Sequence, residues 1–242
     1  EINGKPAAQG DTIRALSKVT IKGFVKDKAG QKITNFNGVI YPTVYDKLSE
    51  IATLNNDGDG VFNFKVRNSK LFKGKASVIN GDFSFSFVVP KDIAYTYGTG
   101  RASYYAANGQ EDAHGYYEGF IVGGTSSNYA QDNTGPEVKL YMNDDNFVFG
   151  GITDENPVFY TNVFDEYGIN MTGNGVGHDI TAVLDGNVND VLILNDFYES
   201  EQDNYQKGKI KYPFKNLSEG KHSLTLKLWD VYNNSTEASL DF

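Results

Sequence analysis

No cysteine occurs in this chain, so there is no disulfide framework, no thiolate zinc site and no cysteine nucleophile among its residues. That removes several enzyme classes while leaving the compartment open, because oxidising and reducing locations both accommodate a cysteine-free chain. Tryptophan occurs once, methionine twice and proline six times. Positive charge is also short: 22 Lys and Arg stand against 31 Asp and Glu, for a net charge of −9. The basic residues are scattered, so neither a nucleic acid backbone nor an anionic membrane surface is an expected partner. Long apolar runs are missing too, and nothing approaches the roughly 20 residues of a membrane helix. Glu1 is neither an initiator Met nor the start of a secretory leader, and the expectation is a piece of a longer chain.

What remains is sheet-forming material. With 242 residues, 26 Gly, 16 Tyr and 16 Phe, the chain has the composition of twisted sheets joined by tight turns. Its length suits two sandwiches of roughly 100 residues each, large enough to hold cores without crosslinks. Leu224, Leu226 and Leu228 alternate with Thr225, Lys227 and Trp229, which places the leucines on one face of a strand. After an Asp/Asn-rich turn, Thr236, Ala238, Leu240 and Phe242 alternate again and complete an antiparallel hairpin. Phe83, Phe85, Phe87 and Val89 share a face before Pro90 ends their strand, with a short turn expected at 90–93. Further strands are expected around Val19–Val25, Val39–Tyr45, Phe62–Val66, Ser103–Tyr105 and Tyr117–Val122, with a turn at 27–30. No 3.6-residue periodicity outlasts a turn or two.

From 123 to 136, GGTSSNYAQDNTGP, apolar content collapses, which marks a break between domains. The expected organisation is a β-sandwich over 1–124, a linker over 125–136 and an immunoglobulin-like sandwich over 137–242. Strands of the second unit are expected near 138–142, 147–151, 158–164, 179–184, 191–195, 208–214, 223–230 and 236–242. The fold class is therefore all-β, two tandem sandwiches, without the cysteine pair of antibody domains.

Candidate sites are sparse. Asn55-Asn56-Asp57-Gly58-Asp59-Gly60 has the alternating oxygen donors of a calcium loop, but Val66 stands where a bidentate Glu is required, so a hairpin turn is expected. Asp144, Asp145, Asp154, Glu155, Asp165 and Glu166 could gather at one end of a sandwich around calcium, though sequence spacing does not make them converge and solvated loop acids are the favoured reading. His114, His178 and His222 are far apart, with no second ligand at metal-binding spacing. The glycine-rich 173–177 lacks the helix and the Lys-Ser/Thr of a phosphate loop. Paired carboxylates for glycoside hydrolysis require a fixed separation that no local pattern implies. Tyr104, Tyr105, Tyr116, Tyr117 and Trp229 could stack on sugars or anchor a protein, with core packing as the commoner fate. Asp11-Thr12-Ile13 matches a short bacterial O-glycosylation acceptor and weakly supports export. No catalytic, cofactor-binding or metal-ligating residue is assigned, and calcium is the one cofactor left open.

Three blocks go beyond generic sandwich features: 71–106 with FSFSFVVPKDI, 132–186 with GxGHDI, and 193–235 with YPFxNLxEGxHxLxLKxWDVYNN. Together they resemble the region after the peptidase domain in gingipain-like cysteine peptidases of Bacteroidetes, including the sortase of the type IX secretion system. The resemblance runs from about Phe36 to Phe242. It implies an exported chain at the outer membrane or cell surface, whose catalytic Cys and His belong to an upstream domain, so no catalytic residue carries over. The implied role is a non-catalytic segment that braces the peptidase, with that upstream domain as partner and the secretion machinery or cargo as further ones, and without nucleic acid or membrane insertion. The runner-up is a self-standing adhesin or carbohydrate-binding module; an enzyme in its own right is the third class.

Overall fold

Alternating apolar residues make the strands and Gly, Asn and Asp close the turns, in a computed structural model that describes residues 1–172 and 177–242. The first half carries β1 (Thr12–Ala15), β2 (Lys18–Phe24), β3 (Gly38–Tyr45), β4 (Ser49–Ala52), β5 (Asn63–Val66) and β6 (Lys70–Lys73). It continues through β7 (Ala76–Ile79), β8 (Asp82–Val88), β9 (Gly98–Thr99), β10 (Arg101–Ala107), β11 (Asp112–Tyr117) and β12 (Ile121–Thr125). The second half carries β13 (Glu137–Met142), β14 (Val158–Phe164), β15 (Thr181–Leu184), β16 (Val191–Ile193), β17 (Tyr198–Glu201), β18 (Asn204–Pro213), β19 (Ser223–Trp229) and β20 (Ser235–Asp241). Helical structure among the described residues amounts to two single 3-10 turns, Ala7–Gln9 and Asn195–Phe197. No helix there is long and apolar enough to cross a membrane.

In the first unit a large sheet runs β11-β10-β3-β7-β8-β2, with β6 also paired to β3, and a small sheet runs β1-β12-β9. Their inner faces meet in one core. Ile13 and Val122 of the small sheet join Val19, Ile40, Val44, Phe85, Phe87 and Ala102 of the large one. The β8 aromatics behave as their alternation predicts: Phe85 and Phe87 are buried and stack with Phe72, the Phe72–Phe87 centroids lying 4.8 Å apart. Gly23 is required opposite β8, because a Cβ there would sit 2.4 Å from the Phe83 ring.

The second unit stacks β13-β14-β18-β17 on β16-β15-β19-β20. That is the strand order of an immunoglobulin-like sandwich with one extra strand at the β15 edge. Leu224, Leu226 and Leu228 are fully buried, and β20 pairs antiparallel with β19 from Ser223↔Asp241 to Trp229↔Ser235. Gly208 of β18 lies beneath the buried Tyr198 ring, where a Cβ would come within 2.3 Å of the hydroxyl.

Two strand expectations are corrected. The segment 147–151 is turn, not strand: Asn143 and Gly150 adopt positive φ, the Asp144 carboxylate accepts the Asn146 N–H at 2.8 Å, and Gly151 N–H bonds back to Val148 O at 2.8 Å. Local side-chain acceptors there outcompete the ladder. The run 117–122 is divided between β11 and β12, which lie in different sheets. Alternation in the sequence does not reveal β1, β4, β6, β7, β9 and β17, all short strands of two to four residues.

Candidate functional site

The turn between β19 and β20 is built by one carboxylate. Asp230 is fully buried; its Oδ1 accepts the N–H groups of Tyr232 (2.8 Å) and Asn234 (2.7 Å), while Oδ2 accepts the Asn234 side-chain amide at 2.7 Å. Asn233 takes φ 72° to close the turn. The result drives Val231 and Tyr232 out of their own sandwich and into the core of the first unit. Tyr167 packs edge-on against Tyr232 with centroids 4.9 Å apart.

Around that turn the two units share hydrogen bonds. Lys91 N–H donates to Val231 O at 2.9 Å. Asp92, at the end of the β8 strand's turn, accepts from Asn233 Nδ2 (2.7 Å), Asn170 Nδ2 (2.9 Å) and His178 Nδ1 (2.6 Å). The His178 ring rests 4.4 Å from Trp229, centroid to centroid, and Lys227 lies over the same indole. Trp229 and His178 are therefore wall rather than free surface. A second seam lies at the other end of the junction. Asp203 accepts Ser77 N–H at 2.7 Å and Ser77 Oγ–H at 2.6 Å, and its own N–H donates to Lys75 O at 2.9 Å. Lys75–Glu199 (2.7 Å) and Lys70–Asp196 (2.6 Å) flank it as exposed ion pairs of small energetic weight.

Three carboxylates converge beside the first seam. Asp132 from the connecting stretch, Asp165 from the turn after β14 and Asp230 each offer one oxygen, all within 4.8 Å of one another. Asp165 Oδ1 accepts the N–H groups of Tyr167 and Gly168, both at 2.8 Å. Burial raises the Asp165 carboxyl to about 7 against those donors, and the Asp230 charge adds to the rise. Burial likewise raises Asp230 to about 6. An all-oxygen set of this kind suits a hard divalent cation such as calcium, and a proton shared among the acids is the other way to relieve their repulsion.

The acids singled out from sequence divide accordingly. Only Asp165 of that set belongs to the cluster; Asp144, Asp145, Asp154, Glu155 and Glu166 are exposed and do not join it. Asp132, Asp230 and Asp92 went unread because their partners come from distant strands. Residues 55–60 form the turn joining β4 to β5, where Gly60 N–H bonds to Asn55 Oδ1 at 2.7 Å. His114 is exposed on β11, and His222 donates to Asp185 and Ser218 O, the Ser218 carbonyl first and Asp185 second raising its pKa. Of the glycine-rich segment, 173–176 lie outside the described residues. Tyr104 is packed against the first core, its hydroxyl raised to about 12 by burial, and Tyr117 packs there too. Tyr105 and Tyr116 stand exposed on the outer face of the large sheet, beside Tyr41 and under Arg101 respectively. Thr12 lies in β1 between the ion-paired Asp11 and the fully buried Ile13.

No protein-family model and no curated protein matches the chain. Solved structures do. Domains 5–6 of the S-layer protein SbsC align over 100% of the chain and 94% of that structure at 13% identity and TM-score 0.22. The C-terminal domain of the Streptococcus agalactiae AgI/II polypeptide BspA aligns over 96% of the chain and 94% of that structure, at 12% identity and TM-score 0.21. Both are too remote to carry an argument. The crystal structure of dimeric latent PorU from Porphyromonas gingivalis is different in kind: 32% identity over 100% of this chain, with TM-score 0.58. The matched region makes up 23% of the PorU chain. Two β-sandwiches locked at a shared turn, together with that identity along the entire sequence, make this chain a relative of a β-sandwich segment of PorU.

Proposed function

We propose that this chain is the non-catalytic, structural and protein-interaction segment of a cell-surface gingipain-like peptidase or sortase that processes type IX secretion cargo. The observation that supports it most is the double seam: Val231 and Tyr232 seated in the neighbouring core, and Asp203 clamped on Ser77, hold two sandwiches as one spacer. Rigid spacing suits a part that positions a peptidase at the outer membrane against its substrate. The partners of this reading are the parent's own peptidase domain and, through it, cargo or the secretion machinery. The His178–Asp92 pair, with the Asn170 and Asn233 amides on the same carboxylate, is read as a structural clamp between the two units. Calcium held by Asp132, Asp165 and Asp230 belongs to the same reading, as a pin at the junction.

Since the related PorU structure is of a dimer, we extend self-association to this chain as well. Peptidase assays on the fragment and on the full-length parent test the central claim: turnover is expected from the parent alone. Turnover by the fragment overturns it. A glycan array supplies the other check, since tight sugar binding lost on Tyr105→Ala or Tyr116→Ala would replace the brace with a carbohydrate-binding module.

A further inference from the structure

The first sandwich is open at one end. β2 and β11 are the outermost strands of its large sheet, yet Ile21 to Phe24 of one and Ala113 to Tyr117 of the other line the same cavity of about 360 Å³. The small sheet facing them has strands of two to five residues, against seven in β2, β8 and β10. It covers only part of the inner face, and the twist of the large sheet curls its two edges toward one another around the remainder. Small side chains make the space. On β10 and β11, Ala106 stands opposite Ala113 and Tyr104 opposite Gly115. Ala106 is buried in the core, Tyr104 and Ala113 pack against it, and a Cβ on Gly115 would meet no atom within 4 Å.

Floor and rim differ in chemistry. Ile21, Ile40 and Phe83 give the cavity an apolar floor continuous with the core. At its mouth Phe24 is 51% exposed and Tyr116 65% exposed, large rings left in water. Lys22, Lys26 and His114 are exposed on the same rim, and Glu1 is the one acid among the lining residues. On a chain of net charge −9 that is a local reversal of sign. Ligand pockets run from roughly 300 to 1,000 Å³, so a cavity at the lower end of that range has room for one apolar chain rather than for a two-chain lipid.

We propose that this cavity binds a free fatty acid, its chain on the floor of Ile21, Ile40 and Phe83 and its carboxylate at the rim with Lys22 and Lys26. Isothermal titration of the 242-residue chain with octanoate, decanoate and dodecanoate, each below its micellar concentration, is expected to give one-to-one binding. Affinity should rise by about 15-fold for each two methylenes added, until the cavity is full. Dodecyltrimethylammonium, with the same tail and the opposite charge, should bind at least about tenfold more weakly than dodecanoate. Gly115→Leu puts a side chain into the open space and should abolish dodecanoate binding while the melting temperature holds. The double substitution Lys22→Glu, Lys26→Glu leaves the floor intact and should weaken dodecanoate by at least about tenfold and remove the preference for the carboxylate. A wild-type chain that does not bind dodecanoate overturns the proposal, as does binding unchanged in both variants. Equal affinity for the two amphiphiles shows an apolar surface without recognition of the head group and also overturns it. Binding by this chain but not by the full-length parent assigns the cavity to the parent's own residues in place of the fatty acid.

Discussion

Asp165 shows how one side chain reports its surroundings. Its carboxyl titrates near 7 in the folded chain and in the ordinary acid range once unfolded, so the folded state binds more protons between those limits. Stability therefore falls as pH rises from about 4 to about 7 and is flat above that. In chelator, the melting temperature is expected to rise when pH is lowered from 7.5 to 5.5, and Asp165→Asn should flatten that slope; calcium added at pH 7.5 should raise the melting temperature of the wild type and not of the variant. Equal slopes for the two proteins would show that the trio does not govern the pH response. Gly208 makes a second prediction of the same scale. Gly208→Ala forces a methyl into the Tyr198 ring, which burial on all sides prevents from swinging away, and overpacking of this kind costs about 1–3 kcal/mol in denaturant titration. Neither residue was interpretable from its neighbours in sequence: Asp165 reads as a loop acid, and Gly208 as an ordinary strand glycine.

Elements were legible to the extent that one face of each is buried against the facing layer of its own sandwich. Period-two alternation found β8 and β19 because Phe85, Phe87, Leu224, Leu226 and Leu228 all face a core. It failed at 147–151, where apolar residues alternate but Asp144 and the positive-φ positions turn the chain. The 230–234 turn was legible as a turn and not as a connector, since nothing local says that Val231 and Tyr232 belong to another domain's core. Tyr232→Ala is expected to cost about 3 kcal/mol, as removing a buried aromatic ring does, with the loss appearing in the melting of the first sandwich as well as the second. Asp203→Ala removes the paired Ser77 contacts and should cost about 1.5–3 kcal/mol, because the acceptor is charged. Both are measured by chemical denaturation followed at the aromatic near-ultraviolet signal.

At the level of the whole molecule, the two seams make one cooperative body from two sandwiches. Calorimetry of the wild type is expected to give a single transition, and the double variant Tyr232→Ala, Asp203→Ala to give two, since each half keeps its own core. Two transitions in the wild type would remove the physical basis for a rigid spacer. The sequence by itself determined the class of structure: an all-β chain without cysteine, long helices or concentrated basic charge, carrying buried alternation at β8 and β19, because period and composition act over a few neighbouring residues. Tertiary structure alone decided where Asp92 finds His178 and Asn233, where Asp132, Asp165 and Asp230 converge, and which apolar turn fills a foreign core. Those pairings join residues many strands apart, and only the folded register of the sheets brings their side chains within hydrogen-bonding reach.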